Sequence, residues 1–138
     1  MITSFDIEII NFLLQYCKQH KISNKFTLAS CLVYKNKKYG LSVNDYDKSN
    51  VLTRKYKSTT CAEVNCIYTS SKILNVTKFR NSTLYIAGVG KSLQCNILKS
   101  SKPCKYCYNI ITNFNIGRLV YITSKDNKTL TINEESIR

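Results

Sequence analysis

The stretch Pro103-Cys104-Lys105-Tyr106-Cys107 puts two thiols three positions apart at the predicted start of a helix. Residues at i and i+3 share a helical face, so Cys104 and Cys107 can reach one tetrahedral ion. A helix N-terminus also favours thiolates, the form in which sulfur ligates, through its dipole and free N–H groups. Alone, the pair fits equally well a redox dithiol or two packed cysteines. A third sulfur changes the reading. Cys61 stands in the first turn of a helix expected from Thr60, with Thr59 or Thr60 as N-cap. Two helices lying side by side on one sheet face bring their N-termini together, and the three sulfurs can then converge. Three protein ligands leave the fourth position of a tetrahedral zinc to water, as in catalytic sites. Glu63, two residues after Cys61, can serve as proton carrier there without being a ligand.

The rest of the chain supplies the sheet this geometry needs. Phe5, Ile9, Phe12, Leu13 and Tyr16 recur at spacings of three and four, giving an amphipathic helix that ends near Gln19. KFTLASCLVYKN and KKYGLSVND read as an antiparallel hairpin across a lysine-asparagine turn. Residues 46–59 read as a polar, basic loop. After the Cys61 helix, STLYIAGVG is a buried strand and LQCNIL a weaker extended piece. Pro103 reads as a first-turn proline of the next helix, which stops before Gly117. GRLVYITS and TLTIN follow as strands, joined by KDNK, a turn too short to hold a helix, so they should pair antiparallel. The expectation is one α/β domain over residues 1–138, a three-layer α-β-α sandwich around one five-stranded mixed sheet.

Composition narrows the partners. The formal net charge is +13, from 21 basic and 8 acidic residues, which favours polyanions or phosphates, although lysine spread over a solvated surface gives the same balance. No apolar run reaches the ~18–20 residues of a membrane span, and MITSFDIEII lacks the charged n-region of a secretion signal. A cytoplasmic protein with reduced thiols is expected, since seven cysteines is an odd number and their spacing is not a disulfide framework. His20 is the only histidine, expected at the surface, which excludes a His-rich metal site. Cys17, Cys31, Cys66 and Cys95 sit in apolar settings and are expected in the core. No aromatic-basic stripe stands out, which counts against a single-strand stacking platform. Tyr106 is expected to pack in the core or to face the pocket.

TCAEVNCI and SKPCKYC together resemble the Cys-Ala-Glu and Pro-Cys-x-x-Cys motifs of the cytidine deaminase superfamily, zinc enzymes with a glutamate proton shuttle. NKFTLASCLVYKNKKYGLSVN is similar to the family's first hairpin, so the resemblance spans roughly residues 24–133. It is strongest to small deaminase-like proteins of phages and large DNA viruses, many of which carry histidine where this chain has Cys61; a host-cell cytoplasmic setting would follow. The resemblance implies one Zn²⁺ per chain on Cys61, Cys104 and Cys107, with Glu63 catalytic. It implies a substrate sugar bonded by Asn44, which otherwise reads as a turn asparagine, and a pyrimidine touched by the backbone of Ala62. Phe26 falls near the base pocket or in the core. Arg54, with Lys55 and Lys57, lies in a loop that binds phosphate or is simply exposed. The implied activity is deamination of a cytosine nucleoside or nucleotide to the uracil form, in a homo-oligomer. The alternatives are a deaminase of cytosine or adenine in RNA or single-stranded DNA, and a non-catalytic binding protein of the same fold.

Overall fold

A computed structural model describes residues 1–20, 26–44, 61–90, 98–126 and 128–137. Its elements run α1 (Ser4–Gln19), β1 (Thr27–Tyr34), β2 (Lys37–Val43), α2 (Ala62–Ser71), α3 (Val76–Phe79), β3 (Thr83–Val89), α4 (Lys105–Asn113), β4 (Arg118–Thr123) and β5 (Thr131–Ser136). The five strands form one sheet in the order β2-β1-β3-β4-β5. Only β3 and β4 are parallel, and the β4–β5 pair is antiparallel as its short connection dictates.

Strand alternation sorts the core into two layers. Ala29, Cys31, Val33, Tyr85, Ala87, Val89, Val120 and Ile122 face α1, which buries Ile9, Ile10, Leu13 and Cys17 against them. The intervening Leu32, Leu84, Ile86, Leu119 and Tyr121 face the other way, onto Cys66 and Ile67 of α2, Phe79 of α3 and Ile111 of α4. The architecture is therefore the expected α-β-α sandwich. Burial pushes the Cys31 thiol up to about 12 and raises Cys66 as well, so both are protonated packing residues.

Two local devices fix the layers. Lys35 and Asn36 both hold positive φ, 50° and 64°, as the tight β1–β2 turn requires. In α1 the capping box is Thr3 with Asp6, and that aspartate is 1% exposed. Its carboxylate accepts two bonds from the Arg118 guanidinium, at 2.9 and 2.7 Å, and one from the Tyr85 hydroxyl at 2.5 Å. Burial pushes the Asp6 pKa up, but bonds from Arg118, Tyr85 and the Thr3 N–H outweigh it and hold the carboxyl well below its ordinary value. This pins α1 to β3 and β4.

Four sequence expectations need correction here. α2 begins at Ala62 with Cys61 as its N-cap, so Cys61 precedes the first turn; Thr59 and Thr60 lie outside the described residues. Cys104 is likewise the N-cap of α4, and Pro103 stands before the cap. The short α3 was not anticipated, and the last strand continues to Ser136. Of the LQCNIL stretch only Leu98 is described, in an isolated antiparallel bridge to Val89; Cys95 lies outside.

Candidate metal centre and substrate pocket

Both helices that deliver Cys61, Cys104 and Cys107 lie on one face of the sheet, and each follows a strand of common direction: α2 follows β2, and α4 follows β3. Their N-termini therefore meet at one end of the sheet. Gly40 lets α2 sit close on β2. A Cβ there would lie 2.5 Å from the Cys66 carbonyl oxygen and would also collide with the Ser70 hydroxyl, and its φ is +64°.

The entry of α4 is set by a residue that no motif singles out. Ser101, 2% exposed, wedges between β3 and β4 just beyond their last parallel pair, Ile86 with Tyr121. Its hydroxyl donates to the Ile86 carbonyl at 2.7 Å and accepts the Ile122 N–H at 2.9 Å, while its own N–H donates to the Ile122 carbonyl at 2.9 Å. Three residues later the chain turns into Cys104. An N-cap side chain leans toward the first turn of its helix, so Cys104 meets Cys107 there. Neither Cys61 nor Cys104 makes a side-chain cap hydrogen bond.

The sulfurs of Cys61, Cys104 and Cys107 all lie within 4.8 Å of one another, with 3.4 Å between Cys104 and Cys107. Tetrahedral thiolates at a Zn–S distance of ~2.3 Å stand ~3.8 Å apart, so the set fits one zinc. Cys107 is buried, Cys61 half-buried and Cys104 exposed, giving the centre a solvent side. The three sulfurs are electrostatically crowded: the hydrogen bond with Cys61, burial, and the charges of Glu63, Cys61 and Cys104 all raise the Cys107 thiol. A divalent cation relieves that crowding by replacing protons. Among the described residues no fourth His, Cys, Asp or Glu joins the cluster, and three donors is the number of a catalytic zinc site. Glu63 stands at the second helical position of α2, 3% exposed and near enough for its charge to act on Cys107.

The other expected site residues fall variously. Ala62 is fully buried at the start of α2. Asn44 is buried directly after β2; its side-chain oxygen accepts the Leu28 N–H at 2.8 Å and its amide donates to the Phe26 carbonyl at 3.2 Å. The side chain thus holds the start of β1, more than a simple turn residue does. Phe26 is half-buried beneath Lys99, whose ammonium stands 4.0 Å from the ring centroid. Tyr106 does not pack in the core: it is 45% exposed on α4, beside Asn109, Ile110 and Asn113. His20 is exposed as expected, and Arg54, Lys55 and Lys57 lie outside the described residues.

Fold and centre together define a zinc-site protein of the three-layer α/β class, with three thiolate donors delivered by two helix starts. The family model for the cytidine and deoxycytidylate deaminase zinc-binding region matches residues 4–123, and the chain belongs to that family. No curated protein matches it. Among the described residues no helix is long and apolar enough to cross a membrane.

Proposed function

We propose that the chain is a hydrolytic deaminase of a free cytosine nucleoside or nucleotide, with Glu63 as its proton carrier. The observation that carries the reading is the convergence of Cys61, Cys104 and Cys107 with the buried Glu63 two residues from one of them. Cys61, Cys104 and Cys107 would hold the zinc, which when bound would supply Lewis-acid activation of water, lowering its pKa toward ~7. Glu63 takes one proton of the attacking water and delivers it to ring N3, where it stays, then carries the second, from the new C4 hydroxyl, to the departing amine. The C4–N bond breaks, a C4=O bond forms, and ammonia leaves. Burial on the α2 terminus keeps the carboxylate in one orientation through both transfers.

Ala62 offers backbone to the pyrimidine, and Phe26 and Asn44 form the sugar side of the pocket, with Arg54 reserved for a phosphate. Asn44 is held by Phe26 and Leu28, so it would meet a sugar hydroxyl with its remaining amide proton. The antiparallel β4–β5 ending supports a small substrate, because that ending resembles the nucleoside branch of the superfamily. The charge of +13 favours a second reading, deamination within RNA or single-stranded DNA. A non-catalytic role fits poorly with an intact ligand set and carboxylate. The proposal extends to a homo-oligomer in a host-cell cytoplasm of viral type.

Cytidine, deoxycytidine, their monophosphates and a cytosine-containing oligonucleotide, assayed for ammonia release, separate these readings. The expected outcome is turnover of a monomeric substrate, abolished in Glu63→Gln with zinc content unchanged. Undiminished turnover in Glu63→Gln would give the proton transfer to another group. Turnover of the oligonucleotide alone would favour the second reading.

A further inference from the structure

Folding assembles a basic, aromatic surface at the opposite end of the sheet from the thiols. Residues 26–44 and 64–90 carry Lys35, Lys37, Lys38, Lys72, Lys78 and Arg80 but no aspartate or glutamate. Among the described residues none of these cations has a carboxylate partner. Five of them stand by aromatic rings, Lys38 over Phe12 of α1 and the other four over tyrosines. The ammonium groups of Lys35 and Lys78, from the β1–β2 turn and from α3, stand 5.5 and 5.8 Å from the Tyr34 ring centroid. Lys37 stands 5.4 Å from that of Tyr39, and Lys72 stands 4.4 Å from that of Tyr68. The β2 edge and the middle of α2 touch here, where the Cys66 thiol donates to the Tyr39 carbonyl. All three rings are half-buried, so each is anchored while presenting part of its surface.

This surface runs on into a cleft of about 610 Å³ lined by Arg80, Asn81, Thr83 and Arg118. Glu134 and the buried Asp6 offset Arg118 and the N-terminal amine there, so Arg80 supplies the cleft's positive charge. We infer that the Tyr34, Tyr39 and Tyr68 surface, with Lys35, Lys37, Lys72, Lys78 and Arg80, binds single-stranded nucleic acid. Flat rings flanked by ammonium groups match a chain in which bases and phosphates alternate: bases lie on tyrosine and phosphates on lysine. A duplex would offer phosphates but no exposed base faces, leaving the rings unused. The inference does not rest on the deaminase reading. β3 is about 20 Å long, and the surface lies at its far end from the α2 and α4 N-termini.

The test is fluorescence anisotropy of a labelled thymidine-only single strand, which has no amine to lose, titrated with zinc-loaded protein at several salt concentrations. A variant lacking Lys35, Lys37 and Lys78 (each →Ala) is compared with one lacking Lys18, Lys125 and Lys128, which removes equal charge elsewhere. Thermal melts check that both fold. Loss of three phosphate contacts should flatten the log–log salt slope by about 2, and weaken binding at least ~10-fold at low salt, only in the first variant. Equal loss in both variants, no loss in the first, or no binding by the parent protein overturns the inference. So does tighter binding to anionic phosphatidylserine vesicles than to the strand, lost in the same variant. Ammonia release from a monomeric substrate should be unchanged in the first variant, which keeps this result separate from any failure of the catalytic reading.

Discussion

Replacing Ser101 by alanine tests how the fold builds the metal centre. The substitution removes one hydroxyl that is 2% exposed and satisfies two backbone groups, the Ile86 carbonyl and the Ile122 N–H. A buried polar group left without a partner costs ~1–3 kcal/mol. The gap left by the oxygen is small, and the bond from the Ser101 N–H to the Ile122 carbonyl survives. The two orphaned groups therefore predict a loss of about 2–4 kcal/mol. Because Ser101 sits three residues before Cys104, the same change loosens one of the three sulfurs. Zinc affinity should fall roughly 10–100-fold, the usual effect of losing an outer-shell support. Urea unfolding with and without chelator measures the first quantity, and competition with a zinc indicator measures the second. A stability loss below about 0.5 kcal/mol together with unchanged zinc affinity would refute the reasoning.

Gly40→Ala should destabilise the protein by about 2–5 kcal/mol, combining a left-handed φ with overpacking against Cys66 and Ser70; denaturant unfolding measures it, and a neutral result would mean α2 shifts freely on β2. Cys107→Ala should abolish stoichiometric zinc, because two remaining donors are too few for a stable site; metal analysis after gel filtration checks this. Asp6 gives a pH prediction. Its folded pKa lies below its unfolded value, so its stabilisation is fully present above the unfolded carboxylate range and is lost as pH falls through the folded value. Acid titration of Asp6→Asn should accordingly show a shallower loss of stability below pH ~4 than the parent protein. Identical acid profiles would remove Asp6 from that role.

The main elements were legible because their signals are local: the spacing of Phe5, Ile9, Leu13 and Tyr16, the Lys35-Asn36 turn, and the short connection before Thr131. The metal donors were legible for a related reason, since cysteines at two helix starts need only one sheet to bring them together. Their cap positions were misplaced because threonine at 59 or 60 is the better cap by propensity and Pro103 suits a first helical turn, whereas Cys61 and Cys104 occupy the caps without capping bonds. α3 has four residues, too few to signal themselves by period, and packing of Phe79 holds it in place. Ser101 was invisible because its value depends on two strands distant in sequence. The basic-aromatic surface escaped for the same reason: Tyr34 and Lys78 become neighbours only on folding.

Zinc-edge X-ray absorption of the zinc-loaded protein measures the centre most directly. The account predicts one zinc per chain with three sulfurs at ~2.3 Å and a single lighter donor. A shell of four sulfurs, or zinc bound without sulfur, would contradict it.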